Sequence, residues 1–198
     1  MSMSAQLQAI GPVILASASP RRRELLAELH VPFEVVPSDA TEAHNDNLTA
    51  REICEVNAFR KARAVALPNP QSLVIGADTL VYQGTKLFGK PKDLREAERM
   101  LSELSGNSHL VVTGVCLMHL ARRQQRTFSE TTHVSFRSLT RDQIASYIAR
   151  VHTLDKAGAY AIQENGSDII LNIEGSYSNV VGLPLERLRL ELARFLKG

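Results

Sequence analysis

The sequence predicts an α/β domain built around a mixed sheet. Three observations carry that prediction. Apolar runs at 12–16 (PVILA) and 72–82 (SLVIGADTLVY) are near-continuous, as strands buried on both faces require. Capping residues and prolines bracket helical stripes between the apolar runs. Two long segments, 109–120 and 126–136, flank a short polar turn (ARRQQ), which pairs them as antiparallel neighbours.

The elements follow in order. Residues 1–11 read as a short loose leader, without the basic start and long apolar stretch of a signal peptide. The remaining 12–198 read as a single domain. Strand 12–16 runs into a tight loop, and Ser19 and Pro20 are a good N-cap and first helical residue. Leu25, Leu26 and Leu29 give that helix its apolar stripe. A short strand at 33–36 precedes a polar loop, 37–47. Thr49 and Glu52 have capping-box spacing, opening a helix that Pro68 and Pro70 stop. Gly84 turns strand 72–82 back into a short arm at 87–88. Asp93 and Glu96 open a helix that Gly106 caps. Thr140 and Gln143 cap another, reaching about residue 150. Residues 152–168 read as loop and 169–173 as strand. Residues 175–184 read as a polar loop, and Pro184 then opens a last helix with leucines at 185, 188, 192 and 196.

Composition removes several function classes. The chain has 198 residues, 44% of them apolar and 22% charged, so global disorder is excluded. A net charge of +2 is too balanced for a nucleic-acid coat, and 5% aromatics with no Trp leave no stacking platform for single strands. No apolar run approaches membrane-span length. Cys54 and Cys116 lie in apolar patterns with no CxxC spacing, which suits core thiols in a reducing, cytoplasmic setting. The six histidines lack zinc-ligand spacing, and no Walker loop, GxSxG or dinucleotide fingerprint occurs.

Five local features bear on chemistry. Ser17-Ala18-Ser19-Pro20-Arg21-Arg22-Arg23 places three arginines in the first helical turn, where the macrodipole disfavours each by roughly 0.3–1 kcal/mol unless an anion is present. The segment is either a phosphate cradle or a solvated helix start, with Arg23 the best surface candidate. Asp78, in Gly76-Ala77-Asp78-Thr79, is a carboxylate in an apolar strand and needs a cation, a metal or a hydrogen-bonded neighbour. Lys90, between Gly89 and Pro91, is a turn lysine or a phosphate contact. Residues 155–163 (DKAGAYAIQ) alternate small and polar groups, and Gln163 offers both a donor and an acceptor. Residues 175–184 (GSYSNVVGLP) lead into a helix N-terminus. Lys61 sits mid-helix beside Arg60 and Arg63, by default on a solvated basic face, and Glu42 stands in the loop after the second strand.

Taken together, SASPRR at 17–22, Glu42, Lys61, GADT at 76–79, GKP at 89–91, DKAGAY-x-IQ at 155–163 and GSYSNVVGLP at 175–184 resemble the Maf family of nucleoside triphosphate pyrophosphatases. The resemblance runs from about Val13 to the last helix. It implies an inosine triphosphate pyrophosphatase-like fold: an elongated twisted mixed sheet with flanking helices, two lobes around a cleft, and usually a homodimer. The implied reaction converts a nucleoside triphosphate to its monophosphate and pyrophosphate with a divalent cation, expected to be Mg²⁺. By the same resemblance Asp78 is the proton acceptor, and Arg21, Thr79 and Gln163 set base preference. Ser17, Arg21, Arg22, Lys61 and Lys90 would hold phosphates, and Glu42 with Asp78 the metal. Arg21 and the ADT triplet match the dTTP/UTP type. A sister 7-methyl-GTP type has a bulky residue for Arg21 and SDQ for ADT. The chain departs from the pattern at its leader and at Glu164-Asn165, where relatives often carry glycines. The resemblance also admits a nucleotide-binding regulator of septum formation and cell division, and the arginine run alone an RNA-binding module.

Overall fold

The expected alternation of buried strands and capped helices is present in the computed structural model of the chain, which describes residues 3–43 and 47–197. The elements are α1 (Met3–Ile10), β1 (Val13–Ala16), α2 (Pro20–Ala27), β2 (Glu34–Val35), α3 (Ala50–Ala66), β3 (Leu73–Gln83), β4 (Lys86–Phe88), α4 (Leu94–Leu104), β5 (Ser108–His119), β6 (Gln124–Phe136), α5 (Arg141–Arg150), α6 (Gly166–Ile169), β7 (Ile170–Glu174), α7 (Tyr177–Val181) and α8 (Leu185–Phe195). A 3-10 turn spans Ala157–Ala159. His44 and the rest of 44–46, within the expected loop, lie outside the described residues.

The strands form one mixed sheet in the order β2-β1-β3-β5-β6-β7, with β4 paired to β3. β1 is parallel to both β2 and β3, joining Ala16 to Gly76 in register. β4 is antiparallel to β3, and β7 to β6. The near-continuous apolar runs are buried as expected: all four residues of β1, and β3 from Leu73 through Asp78. Helix starts also follow the sequence. Ser19 caps α2 by accepting from the Arg22 N–H, and Thr49 and Glu52 close a reciprocal capping box on α3. Gly106, at φ +70°, follows the end of α4 in the left-handed conformation that glycine tolerates best.

Two expectations are corrected. The leader is not loose over residues 3–10: it forms α1, and Leu7 is buried. Leu7, Val13, Leu26, Leu29, Ile75 and Leu192 line one apolar gap. His119 Nε2 also lies 2.8 Å from the Ile10 carbonyl. Packing therefore orders a segment of eight residues, too short to stand as a helix alone. The loop 175–184 likewise contains α7, whose Asn179 is buried and donates to the Val111 carbonyl and the Thr132 hydroxyl.

The chain divides into two compact units. The first comprises Met1–Asp78, Thr113–Glu130 and Gly182–Gly198; the second comprises Thr79–Val112 and Thr131–Val181. In the first unit α3 lies directly on strand glycines. A Cβ on Gly76 would come within 2.3 Å of the Ala58 carbonyl oxygen, and one on Gly114 within 2.4 Å of the Cys54 carbonyl carbon. Cys54 and Cys116 are buried thiols, not disulfide-bonded, as expected of core cysteines. Burial pushes the Cys116 thiol up to about 11.

The second unit has an aromatic core. His109 is buried, meets Phe136 and Tyr160 edge to face, and shares a 2.8 Å hydrogen bond with the Tyr160 hydroxyl. Burial lowers its pKa to about 4 from the ordinary 6.5. Above pH 6.5 both folded and unfolded chains carry it neutral. Below that the unfolded chain takes up the proton first, so stability falls as pH drops, until the folded pKa is reached. We expect this residue to remove about 2 kcal/mol of stability between pH 7 and pH 5. Denaturant titrations at both pH values check it: the pH 7 to pH 5 loss should shrink by that amount in His109→Gln, even though the variant starts less stable.

Candidate active site

The polar contacts around Ser17, Arg22, Lys61 and Asp78 lie within the first unit. Ala16 ends β1, and the tight turn after it puts Ser17 at the start of the arginine segment. Ser17 is buried, and its hydroxyl oxygen accepts from the Ser19 N–H at 3.2 Å and from Arg22 Nη1 at 3.3 Å. Arg22 also donates through Nη1 to the Ala77 carbonyl at 2.9 Å and through Nε to the Gly182 carbonyl at 2.8 Å. The guanidinium thereby ties the first turn of α2 to β3 and to Gly182, between α7 and α8. Its removal from water pulls its pKa below the ordinary value, while the negative charges of Asp78 and Glu42 oppose that pull. A guanidinium stays charged regardless, so a fixed positive charge sits one residue before Asp78. Arg23 is exposed, as expected of the surface member of the three.

Asp78 is 4% exposed. The partner that a buried carboxylate requires is Lys61, whose Nζ is 2.8 Å from Asp78 Oδ1 and 2.6 Å from Glu42 Oε1. The default reading of Lys61 as part of a solvated basic face is therefore overturned. Arg60 and Arg63 face water, but the Lys61 side chain is only 13% exposed and points along the helix flank into two carboxylates. The other Asp78 oxygen, Oδ2, accepts from Asn57 Nδ2 at 3.0 Å. Asn57 is buried one helical turn before Lys61 on α3 and was not singled out by sequence. A neutral amide gives no charge signal; the available clue was an Asn within the apolar stripe of Ile53, Cys54, Ala58 and Ala62.

Glu42 and Asp78 thus converge on a single cation. Their oxygens are the hard donors that Mg²⁺ takes, and a two-carboxylate set leaves the remaining positions to water and phosphate oxygens. The donor chemistry fits the expected metal. Among the described residues no larger group of His, Cys, Asp or Glu gathers.

Arg21 is partly buried and Thr79, directly after Asp78, is partly buried at the start of the second unit. Lys90 and Gln163 belong to the second unit and are exposed. Their segments are joined there: the Gly158 N–H donates to the Gly89 carbonyl at 3.1 Å, seating 155–163 on the GKP turn. The segment is braced from within. Tyr147 Oη receives the Ala161 N–H at 3.0 Å, and buried Lys156 pairs with Asp155 at 2.9 Å and Glu164 at 3.2 Å.

The family described as Maf-like protein matches residues 12–195. A dTTP/UTP pyrophosphatase of Desulforamulus reducens is 47% identical over 184 residues, covering 93% of this chain and 96% of the relative. One of Bacillus cytotoxicus is 47% identical over 185 residues, covering 93% and 96%. One of Moorella thermoacetica is 48% identical over 183 residues, covering 92% and 94%. With the family matched along almost the whole chain and the carboxylate–lysine–arginine arrangement in place, this chain belongs to the Maf-like protein family.

Proposed function

We propose that the protein hydrolyses dTTP and UTP to the nucleoside monophosphate and pyrophosphate. The observation that carries the reading is Lys61 held between Glu42 and buried Asp78, with the Arg22 guanidinium on the neighbouring carbonyl. The names and near-complete coverage of the relatives support it.

Hydrolysis between the α and β phosphates needs an oriented water, a group to take its proton, and neutralisation of the leaving pyrophosphate. Asp78 orients the water and accepts the proton as the water oxygen bonds to the α-phosphorus. The bond from that phosphorus to the bridging oxygen breaks, and the oxygen leaves with pyrophosphate. Lys61 keeps the Asp78 carboxylate aimed and adds positive charge, while Ser17, Arg21, Arg22 and Lys90 bind phosphate oxygens. Arg21, Thr79 and Gln163 set the preference for a pyrimidine base. Glu42 and Asp78 would hold a divalent cation, with Mg²⁺ preferred, which supplies charge neutralisation when bound. The family reading further proposes an inosine triphosphate pyrophosphatase-like form of the sheet, one catalytic domain over 12–198, a homodimer and a cytoplasmic location. Among the described residues no helix is long and apolar enough to cross a membrane.

The test is a panel of triphosphates incubated with pure protein and Mg²⁺, scored for monophosphate and pyrophosphate. We expect dTTP and UTP to be turned over at least about 10-fold faster than ATP, GTP and 7-methyl-GTP, the span one well-placed base contact provides. Pyrophosphate from 7-methyl-GTP above all would reassign the subtype. No pyrophosphate from any of them, with nucleotide still bound, would leave a nucleotide-binding regulator.

A further inference from the structure

We propose that Asn57 is a positioning residue that locks the Asp78 carboxylate and the Glu42 segment into one rigid arrangement. The inference rests on the reading of Asp78 as the group that activates water. Asn57 is 1% exposed, and its whole amide is committed. Oδ1 accepts the Ala43 N–H at 2.6 Å, and Nδ2 donates to Asp78 Oδ2 at 3.0 Å and to the Ala43 carbonyl at 3.3 Å. The orientation of the amide is not arbitrary. Turned over, it would set its NH₂ against the Ala43 N–H and its oxygen against a carboxylate.

Asn57 and Lys61 are four residues apart and therefore share a face of α3. Together they take the two oxygens of Asp78, Asn57 at Oδ2 and Lys61 at Oδ1. The same two residues hold consecutive positions of the preceding loop, Lys61 at the Glu42 side chain and Asn57 at the Ala43 backbone. An ammonium alone is a point contact about which a carboxylate can turn. The second contact fixes the carboxylate plane. A neutral donor does this without adding positive charge, so the Glu42–Lys61–Asp78 cluster keeps a net negative charge, suited to a divalent cation.

Asn57→Leu, close in size, removes the donors and the acceptor while filling the space. Steady-state hydrolysis of UTP is measured at a temperature where circular dichroism shows the variant folded. We expect kcat to fall roughly 10- to 100-fold, the penalty for a misaligned reacting group, with KM within about 2-fold of wild type. Asn57→Ala removes the same contacts by truncation, without placing an apolar branch against Asp78. It should lower kcat as well and provides a second variant if Asn57→Leu does not fold. Wild-type kcat in either folded variant, or a raised KM with unchanged kcat, overturns the positioning role. A wild-type protein that releases no pyrophosphate from UTP or dTTP defeats the parent reading instead, before any variant is compared.

Discussion

Asp78→Asn is expected to leave the protein folded and to lower turnover of UTP by at least about 10²-fold, the contribution of a general base. The substitution is nearly isosteric, so the packing of β3 around this buried residue survives. What changes is charge and hydrogen-bond polarity. A carboxylate accepts at both oxygens, here from Lys61 at Oδ1 and from Asn57 at Oδ2. An amide accepts at one atom and must present its NH₂ to the other donor. The Asn57 amide is fixed by Ala43 and does not turn to compensate. One donor–donor contact results, at about 1–3 kcal/mol of stability. Lys61 keeps Glu42 at 2.6 Å, which prevents the larger loss of a stranded ammonium. Nucleotide affinity without metal should hold or improve, because a negative charge near the phosphates has gone. Equilibrium binding alongside turnover separates the two effects: weaker binding with wild-type kcat would take Asp78 out of the chemistry.

The elements legible in the sequence were those specified by short-range rules. Ser19-Pro20 announces α2, Thr49 with Glu52 announces α3, and Thr140 with Gln143 announces α5, because a cap is satisfied within its own turn. The strands β1 and β3 were legible because burial on both faces leaves almost no polar residue in the run. α1 was not, since its order comes from Leu7 packing on residues far along the chain. The site divides the same way. Asp78 stood out as a carboxylate in an apolar strand, and the need for a partner followed from physics alone. The identity of that partner did not. Lys61 is 17 residues away, Glu42 a further 19 from Lys61, and spacing does not say that a mid-helix lysine turns inward. The family resemblance supplied both names, whereas Asn57, outside the resemblance, emerged only from contacts.

The second large effect is expected at Gly76, which has no polar role. A methyl there would sit 2.3 Å from the Ala58 carbonyl oxygen, 2.7 Å from the Ala62 nitrogen and 2.9 Å from the Ala62 Cβ. Two of these are backbone atoms, so no side-chain rotation relieves the overlap, and α3 must move off β3. The displaced turn is the one between Asn57 and Lys61, and Gly76 is two residues before Asp78 on the strand. Gly76→Ala should therefore destabilise the protein by about 3 kcal/mol or more, the upper range for overpacking a close-packed contact. For a chain of this length that lowers the melting temperature by roughly 6–12 °C. Activity should fall further than the unfolded fraction explains, because the 2.8 Å Lys61–Asp78 contact spans the same gap. Gly166→Ala is the matched control: its added methyl meets only ordinary contacts at 3.5–3.6 Å, and stability should change by less than about 0.5 kcal/mol. A Gly76→Ala protein that melts with wild type would mean that α3 does not rest on β3 at this glycine, and the placement of Lys61 over Asp78 would lose its support.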